Sequence, residues 1–369
     1  MRKAIQLAYR GMGYTTPNPA VGCVVVQNDE ITGIGYHQRA GHPHAEVNAL
    51  RSAGPAASGA ELFVTLEPCN HYGRTPPCTR AILDAGIRRV VIGVLDPNPE
   101  VSGGGADFLR SEGVQVDIHC LREECELLLA PFCKATLLHQ PWIRQKTASS
   151  LDGRTATRAG HSKWITNKKA RAYGQRLREM SDAILVGRTT VAADDPSLTF
   201  RGRGKNPPFQ KMLWRVILDS RLSLGLHHKV FQVSDSSPTA VIAVHGVNPD
   251  KRKNLEDAGV KVVETAPDSM GRVDLHQAMN ALFRMGIHSV LVEGGAEVHG
   301  SFNDAGIVDQ GFFFLAPMVI GGNQARPAIA GEGAETLDHA RQLSMTRIRH
   351  FGDNLMITGI YTDIDKFWH

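Results

Sequence analysis

The sequence predicts an α/β protein built of two successive domains. Strand-like runs rich in Val, Ile and Leu alternate with amphipathic helical stretches along both halves of the chain. The alternation breaks at HQPW over 139–142, where Pro141 cannot continue a helix and disfavours helical geometry at Gln140. A length of 369 residues suits two units of roughly 150 residues each.

In the first half, residues 2–10 suit a helix, and VGCVVVQ at 21–27 with ITGIGY at 31–36 suits a hairpin across Asn28-Asp29. A helix follows over HAEVNALRSA at 44–53. ELFVTL at 61–66, RRVVIGVL at 88–95 and VQVDIH at 114–119 read as strands, with helices near 77–85, 104–112 and 121–138. Beyond the break, strands are expected at 142–148, 182–187, 215–219, 239–244, 260–265 and 289–295. Helices near 167–179, 273–284 and 296–304 lie between some of them, which implies a mostly parallel sheet covered on both faces. DQGFFFLAP at 309–317 and MITGIYT at 356–362 are expected to add antiparallel edge strands, and the Gly/Pro-rich basic stretch at 201–211 a surface loop.

Composition narrows the function. The net charge of +4 from 41 basic and 37 acidic residues gives no broad footprint for nucleic acid or an anionic membrane. No apolar stretch approaches the length of about 20 residues that crosses a bilayer. The apolar positions Ile5, Leu7 and Ala8 give way at once to Arg10 and Gly11, so no signal-peptide core is expected and the chain is read as cytoplasmic. The 6 cysteines all fall in the first 133 residues, too sparse for a disulfide scaffold and suggestive of chemistry in the N-terminal half.

His44-Ala45-Glu46 at a helix start, followed by Pro68-Cys69 and then Cys78, carries that chemistry. One His and two Cys thiolates suit zinc and leave its fourth tetrahedral position open for water, whose pKa zinc lowers towards about 7. Glu46 beside them can shuttle the proton. Zinc deaminases of nucleobases carry H-x-E and P-C-x-x-C, whereas eight residues (NHYGRTPP) separate the cysteines here. The alternatives are a helix histidine with two unrelated buried cysteines, or a closed structural zinc site. Cys23, Cys120, Cys125 and Cys133 read as core or partly buried thiols.

TPNPAVG at 16–22, GYHQRAGHPHAE at 35–46 and TLEPCNHYGRTPPC at 65–78 resemble the deaminase half of the bifunctional riboflavin-biosynthesis deaminase/reductases, the RibD/RibG family, in which the long loop between cysteines is normal. The resemblance implies zinc ligation by His44, Cys69 and Cys78, proton shuttling by Glu46, and substrate contacts by Asn18, His71 and Arg74. Arg74 offers paired donors to a ribose phosphate. A solvated loop charge for Arg74, a loop-orienting role for His71 and a turn cap for Asn18 are the ordinary alternatives.

The second half has no GxGxxG fingerprint for a Rossmann site. Glu293-Gly294-Gly295-Ala296 does follow a strand, and a glycine turn into a helix N-terminus admits a phosphate. KTASSLDGRTA at 146–156, SKWIT at 162–166, ARAYGQRLR at 170–178, DAILVGRTTVAADDPSLTFR at 182–201 and VEGGAEVHGSF at 292–302 resemble the reductase half of the same family. The resemblance implies a cytidine-deaminase-like α/β/α domain at 1–140 and a dihydrofolate-reductase-like α/β domain at 141–369 that uses NADPH. It assigns Ala148, Trp164, Thr190, Asp194, Gly295, Ala296, Glu297, Val298, His299, Gly300 and Ser301 to the cofactor. Lys146, Ser162, Arg178, Leu198, Arg201 and Glu293 fall on the substrate side, Arg178 and Arg201 as phosphate clamps. Core packing is the alternative for Trp164.

The implied chemistry is deamination of 2,5-diamino-6-ribosylamino-4(3H)-pyrimidinone 5′-phosphate, then NADPH-dependent reduction of the ribosyl chain to ribityl. A homo-oligomer joined through the reductase half is also implied. The competing reading, a zinc deaminase of a base in tRNA or DNA, requires a basic surface that the near-neutral charge does not supply.

Overall fold

A computed structural model describes residues 1–71, 76–98, 104–202, 210–232 and 234–368. The chain divides into two compact units, Met1–His139 with Ile364–His369, and Gln140–Asp363. The terminal segment from Ile364 thus groups with the first unit, although it follows the second in sequence. Among the described residues no helix is long and apolar enough to cross a membrane.

The first unit runs α1 (Arg2–Gly11), β1 (Gly22–Gln27), β2 (Glu30–Tyr36), α2 (Ala45–Ala53), β3 (Glu61–Leu66), α3 (Cys78–Asp84), β4 (Arg89–Val94), α4 (Gly105–Ser111), β5 (Gln115–Asp117) and α5 (Arg122–Leu138). The sheet order is β2-β1-β3-β4-β5. The β1–β2 turn puts both Asn28 and Asp29 at positive φ, 50° and 63°, the geometry that matches the twist of a two-residue hairpin. β3, β4 and β5 are parallel, so the loops after β3 and β4 emerge at the same end of the sheet. Helix α2 lies directly on β2: a Cβ on Gly33 would collide with the Ala49 carbonyl and one on Gly35 with the Ala45 carbonyl. Only glycine permits that approach, and it presses the helix that begins at His44 against the sheet.

The second unit contains β6 (Trp142–Ser150), β7 (Arg154–Ala156), α6 (Lys168–Glu179), β8 (Ala183–Gly187), α7 (Arg188–Asp194), β9 (Trp214–Leu218), β10 (Thr239–Val244), α8 (Pro249–Asp257), β11 (Lys261–Thr265), α9 (Leu275–Arg284), β12 (Ser289–Gly294), α10 (Ala296–Asp304), β13 (Gln310–Ala316), β14 (Arg326–Pro327), β15 (Ser344–Phe351) and β16 (Asn354–Ile360). Its main sheet has the order β11-β10-β9-β8-β12-β6-β13-β16-β15. Its core packs Ile143, Leu185, Val216, Ile242 and Val290 against the α9 residues Ala278, Met279 and Leu282.

Two strand expectations change. Neither β13 nor β16 is an edge: β13 lies parallel to β6 and antiparallel to β16, with Phe312 and Phe314 buried, and β16 lies between β13 and β15. The sheet ends at β11 and at β15, whose exposed, charged SMTRIRHF carries no apolar alternation to predict it. Short α7 and the polar α8 were likewise invisible to periodicity.

Candidate active sites

The first site lies at the ends of parallel strands in the first unit. His44 caps α2, Cys69 follows β3 and Cys78 opens α3, so three elements converge on one point. The His44 Nδ1 and the two Sγ atoms all lie within 4.8 Å of one another. His44 Nδ1 is 3.6 Å from Cys69 Sγ and 3.3 Å from Cys78 Sγ, and the Cys78 amide donates to Cys69 Sγ at 3.4 Å. One borderline nitrogen and two soft sulfurs, partly to fully buried, are a donor set that fits zinc and leaves a tetrahedral position for a non-protein ligand.

Hydrogen bonding from Cys78, with His44 adding to the effect, holds the Cys69 thiol well below the ordinary cysteine value. Glu46 is only 4% exposed. Burial, reinforced by the negative Cys69, pushes its carboxyl up to about 7, where it can hold or release a proton near neutrality.

These groups sit in a cleft of about 250 Å³ that Asn18 and His71 also line. Arg74 lies outside the described residues. Sequence reasoning missed further lining residues, His37, Glu67, Asp96, Asn98 and Phe132. His37 Nδ1 faces the Pro43 carbonyl at 3.2 Å and Nε2 faces Asn18 Nδ2 at 3.2 Å. A carbonyl can only accept, so Nδ1 carries the proton, Nε2 accepts, and the Asn18 amide orientation is fixed. Burial lowers the His37 pKa and keeps the ring neutral for this role. Asp96 and Asn98 follow β4, at the sheet end that also carries Cys69; that shared end was the available signal.

The second site forms where β8 and β12, parallel neighbours, each run into a helix. That pairing brings Thr190 on α7 against Gly295, since a Cβ on Gly295 would lie 3.2 Å from Thr190 Oγ1. Gly295 caps α10 with no side-chain hydrogen bond to the first turn, which leaves helix N–H groups for a phosphate. Val298 packs at Gly187, and Gly300 lets the Ala330 carbonyl approach the helix, where a Cβ would collide with it. Ala296 O accepts from the Ala330 amide at 3.1 Å, Ser301 Oγ accepts from Arg272 at 3.3 Å, and Glu297 is exposed. His299 is buried with Nδ1 unpartnered, and burial followed by the nearby Lys146 charge lowers it to about 4, so it is neutral. This uncapped turn and the orphaned imidazole nitrogen fit a phosphorylated dinucleotide.

Beside it, Arg178 grips Glu293 through Nε–Oε1 at 2.8 Å and Nη2–Oε2 at 2.9 Å, and donates Nη1 to Thr199 O at 3.0 Å. Partly buried Lys146 neighbours the pair, its pKa lowered by burial. Ala148 packs beside Phe312 and Phe314. Trp164 is 69% exposed, so core packing does not explain it; the Arg171 guanidinium stacks on its ring at 4.3 Å. Asp194 meets Lys163 at 3.7 Å, Ser162 is partly buried, Leu198 is buried, and the exposed Arg201 donates its backbone N–H to Gln175 at 3.0 Å.

Comparison with known proteins gives each half its class. Residues 1–94 match the cytidine and deoxycytidylate deaminase zinc-binding region, and residues 141–357 match the RibD C-terminal domain. The fold and site therefore define a zinc-binding deaminase domain joined to a reductase domain. The riboflavin biosynthesis protein RibD of Bacillus amyloliquefaciens is 43% identical over 363 residues, 98% of this chain and 96% of that protein. RibD of Acinetobacter baumannii superimposes with a TM-score of 0.80 at 36% identity over 98% of each chain. A Thermotoga maritima diaminohydroxyphosphoribosylaminopyrimidine deaminase/5-amino-6-(5-phosphoribosylamino)uracil reductase gives a TM-score of 0.79 at 34% identity, covering 97% of this chain and 96% of that one. The chain belongs to the RibD family, the bifunctional deaminase/reductases of riboflavin biosynthesis. Deamination of a base in tRNA or DNA is not favoured by relatives that match across nearly the whole chain.

Proposed function

We propose that residues 1–140 deaminate 2,5-diamino-6-ribosylamino-4(3H)-pyrimidinone 5′-phosphate, and that residues 141–369 reduce the product to 5-amino-6-ribitylamino-uracil 5′-phosphate with NADPH. The observation that carries the reading is the convergence of His44, Cys69 and Cys78 beside buried Glu46, with His44, Glu46 and Cys69 lining one cleft.

Zinc held by those three residues supplies the Lewis acidity that makes water a nucleophile at neutral pH. Glu46 takes the proton from the attacking water and delivers it to the departing amino nitrogen. Asn18, oriented by His37, and His71 hold the pyrimidine, and Arg74 takes the ribose phosphate.

In the second unit bound NADPH would supply the hydride for C1′ of the ribosyl chain as the C1′–O4′ ring bond opens and O4′ takes up a proton. Ala148, Trp164, Thr190, Asp194 and the turn from Gly295 to Ser301 bind that cofactor. Lys146, Ser162, Arg178, Leu198, Arg201 and Glu293 hold the ribotide, so orientation of the two reactants carries much of the rate. The protein acts as a cytoplasmic homo-oligomer on a small anionic ribotide, with no nucleic-acid or membrane partner.

The test uses zinc-loaded protein and the diaminopyrimidinone ribotide. Ammonia release without cofactor, followed by NADPH oxidation once it is added, is the expected result. Ammonia without oxidation would overturn the second half of the reading, and neither signal from folded, zinc-containing protein would overturn both.

A further inference from the structure

Arg215 on β9 is 2% exposed. A guanidinium buried this deeply is costly to the extent that its donors go unsatisfied, and here both Nη groups are paired while Nε has no partner. Its partners are backbone carbonyls: Nη1 reaches Ser197 O at 3.4 Å and Lys229 O at 3.5 Å, and Nη2 reaches Gln232 O at 2.9 Å and Ser237 O at 2.7 Å. One side chain thus ties the connection after α7 to the connection between β9 and β10.

Asp195 fastens the same region through His228 and Lys229. It leaves α7 in the left-handed conformation, φ 40°. Its Oδ1 accepts from the Lys229 amide at 2.9 Å and lies 3.3 Å from His228 Nδ1, while Oδ2 lies 3.1 Å from Lys229 Nζ. Three residues on, Leu198 is also left-handed at φ 51° and is 4% exposed, inserted beside Val186, Val191 and Ile217. A leucine keeps such a backbone only where its surroundings impose it. At the far end of the segment, Arg178 takes Thr199 O and Gln175 takes the Arg201 amide.

We propose that Asp195 and Arg215 are positioning residues of the reductase, holding residues 195–201 against the turn at 228–232 so that the backbone at Leu198 and the exposed Arg201 are presented to the ribotide while the Leu198 side chain stays in the core. This inference rests on the reading of Leu198 and Arg201 as ribotide-binding residues. Both anchors hold the segment that carries Leu198 and Arg201 rather than the Gly295–Ser301 turn, so their expected effect is on ribotide affinity rather than on cofactor affinity.

The test is steady-state reduction of the deaminated ribotide by the full chain. Asp195→Ala is expected to raise KM for the ribotide about tenfold or more, since a displacement near 1 Å can be that costly. KM for NADPH and the rate of ammonia release stay at wild-type values, which also reports a folded reductase unit. Asp195→Asn keeps an oxygen for the Lys229 amide and restores most of the affinity. Arg215→Lys, which keeps the charge but loses the fork, shifts the ribotide KM in the same direction as Asp195→Ala. Arg201→Ala serves as the reference and raises the ribotide KM by itself. If Arg201→Ala does so and Asp195→Ala does not, or if Asp195→Ala moves the NADPH KM equally, the positioning role is overturned alone. If Arg201→Ala leaves the ribotide KM unchanged, the underlying reading of the segment fails and the inference falls with it.

Discussion

Arg178 and Glu293, 115 residues apart in sequence, form a two-pronged ion pair whose side chains are only 14% and 11% exposed. Burial works against the Glu293 carboxylate, but the Arg178 charge and its hydrogen bonds outweigh it, with Lys146 assisting, and hold the carboxyl down to about 2. Glu293→Gln strands a largely buried guanidinium and should destabilise the second unit by about 3 kcal/mol at neutral pH. Denaturant unfolding followed by far-UV circular dichroism measures this. An unchanged midpoint would show that the pair contributes nothing net.

The same pair sets a pH dependence. A depressed carboxyl contributes stability that is fully present above its unfolded pKa of about 4.3 and is lost as pH falls towards the folded value. The stability gap between wild type and Glu293→Gln should therefore narrow as the pH drops from 5 towards about 2. A gap that stays constant over that range would mean the carboxylate is not selectively stabilised in the folded state.

Glu46→Gln removes the proton relay but none of the three zinc donors. Ammonia release should fall by about 10²–10⁴-fold. Zinc content by metal analysis, and reduction of supplied deaminated ribotide, should hold at wild-type levels. Zinc loss in step with activity would instead make Glu46 a support of the metal centre.

Gly35→Ala places a methyl group where the Ala45 carbonyl and the Ala49 amide now sit. Overpacking of this kind costs about 1–3 kcal/mol. Because α2 carries Glu46 and is capped by His44, the displaced helix should also release zinc to a chelator more readily. Wild-type zinc retention with an unchanged unfolding midpoint would show that the helix re-seats freely.

Ending the chain at Asp363 removes Ile364 and Phe367, which are 4% and 3% exposed and belong to the first unit. Each such burial is worth about 1.5–3 kcal/mol. Deaminase activity should be lost at lower denaturant than in the intact protein, with reductase activity unmoved. Equal loss in both activities would contradict the grouping of that segment with the first unit.

The amino-acid order alone determined what short-range patterning can encode. The Val/Ile-rich runs and amphipathic stretches gave away most of the strand and helix succession, though not α7, α8 or β15; Pro141 marked the break, and His44, Glu46, Cys69 and Cys78 announced themselves because metal chemistry restricts residue type and local spacing. Tertiary structure decided the rest. The Arg178–Glu293 pair depends on α6 facing the end of β12, and Thr190 meets Gly295 because β8 and β12 are neighbours. His37 joins the cleft only once the strand before it pairs with β1, and the Ile364 segment returns to the first unit after 224 residues of the second. These relationships are choices of pairing and packing between distant segments. Such choices follow from shape, buried area and hydrogen-bond satisfaction, and leave no periodic trace in the sequence.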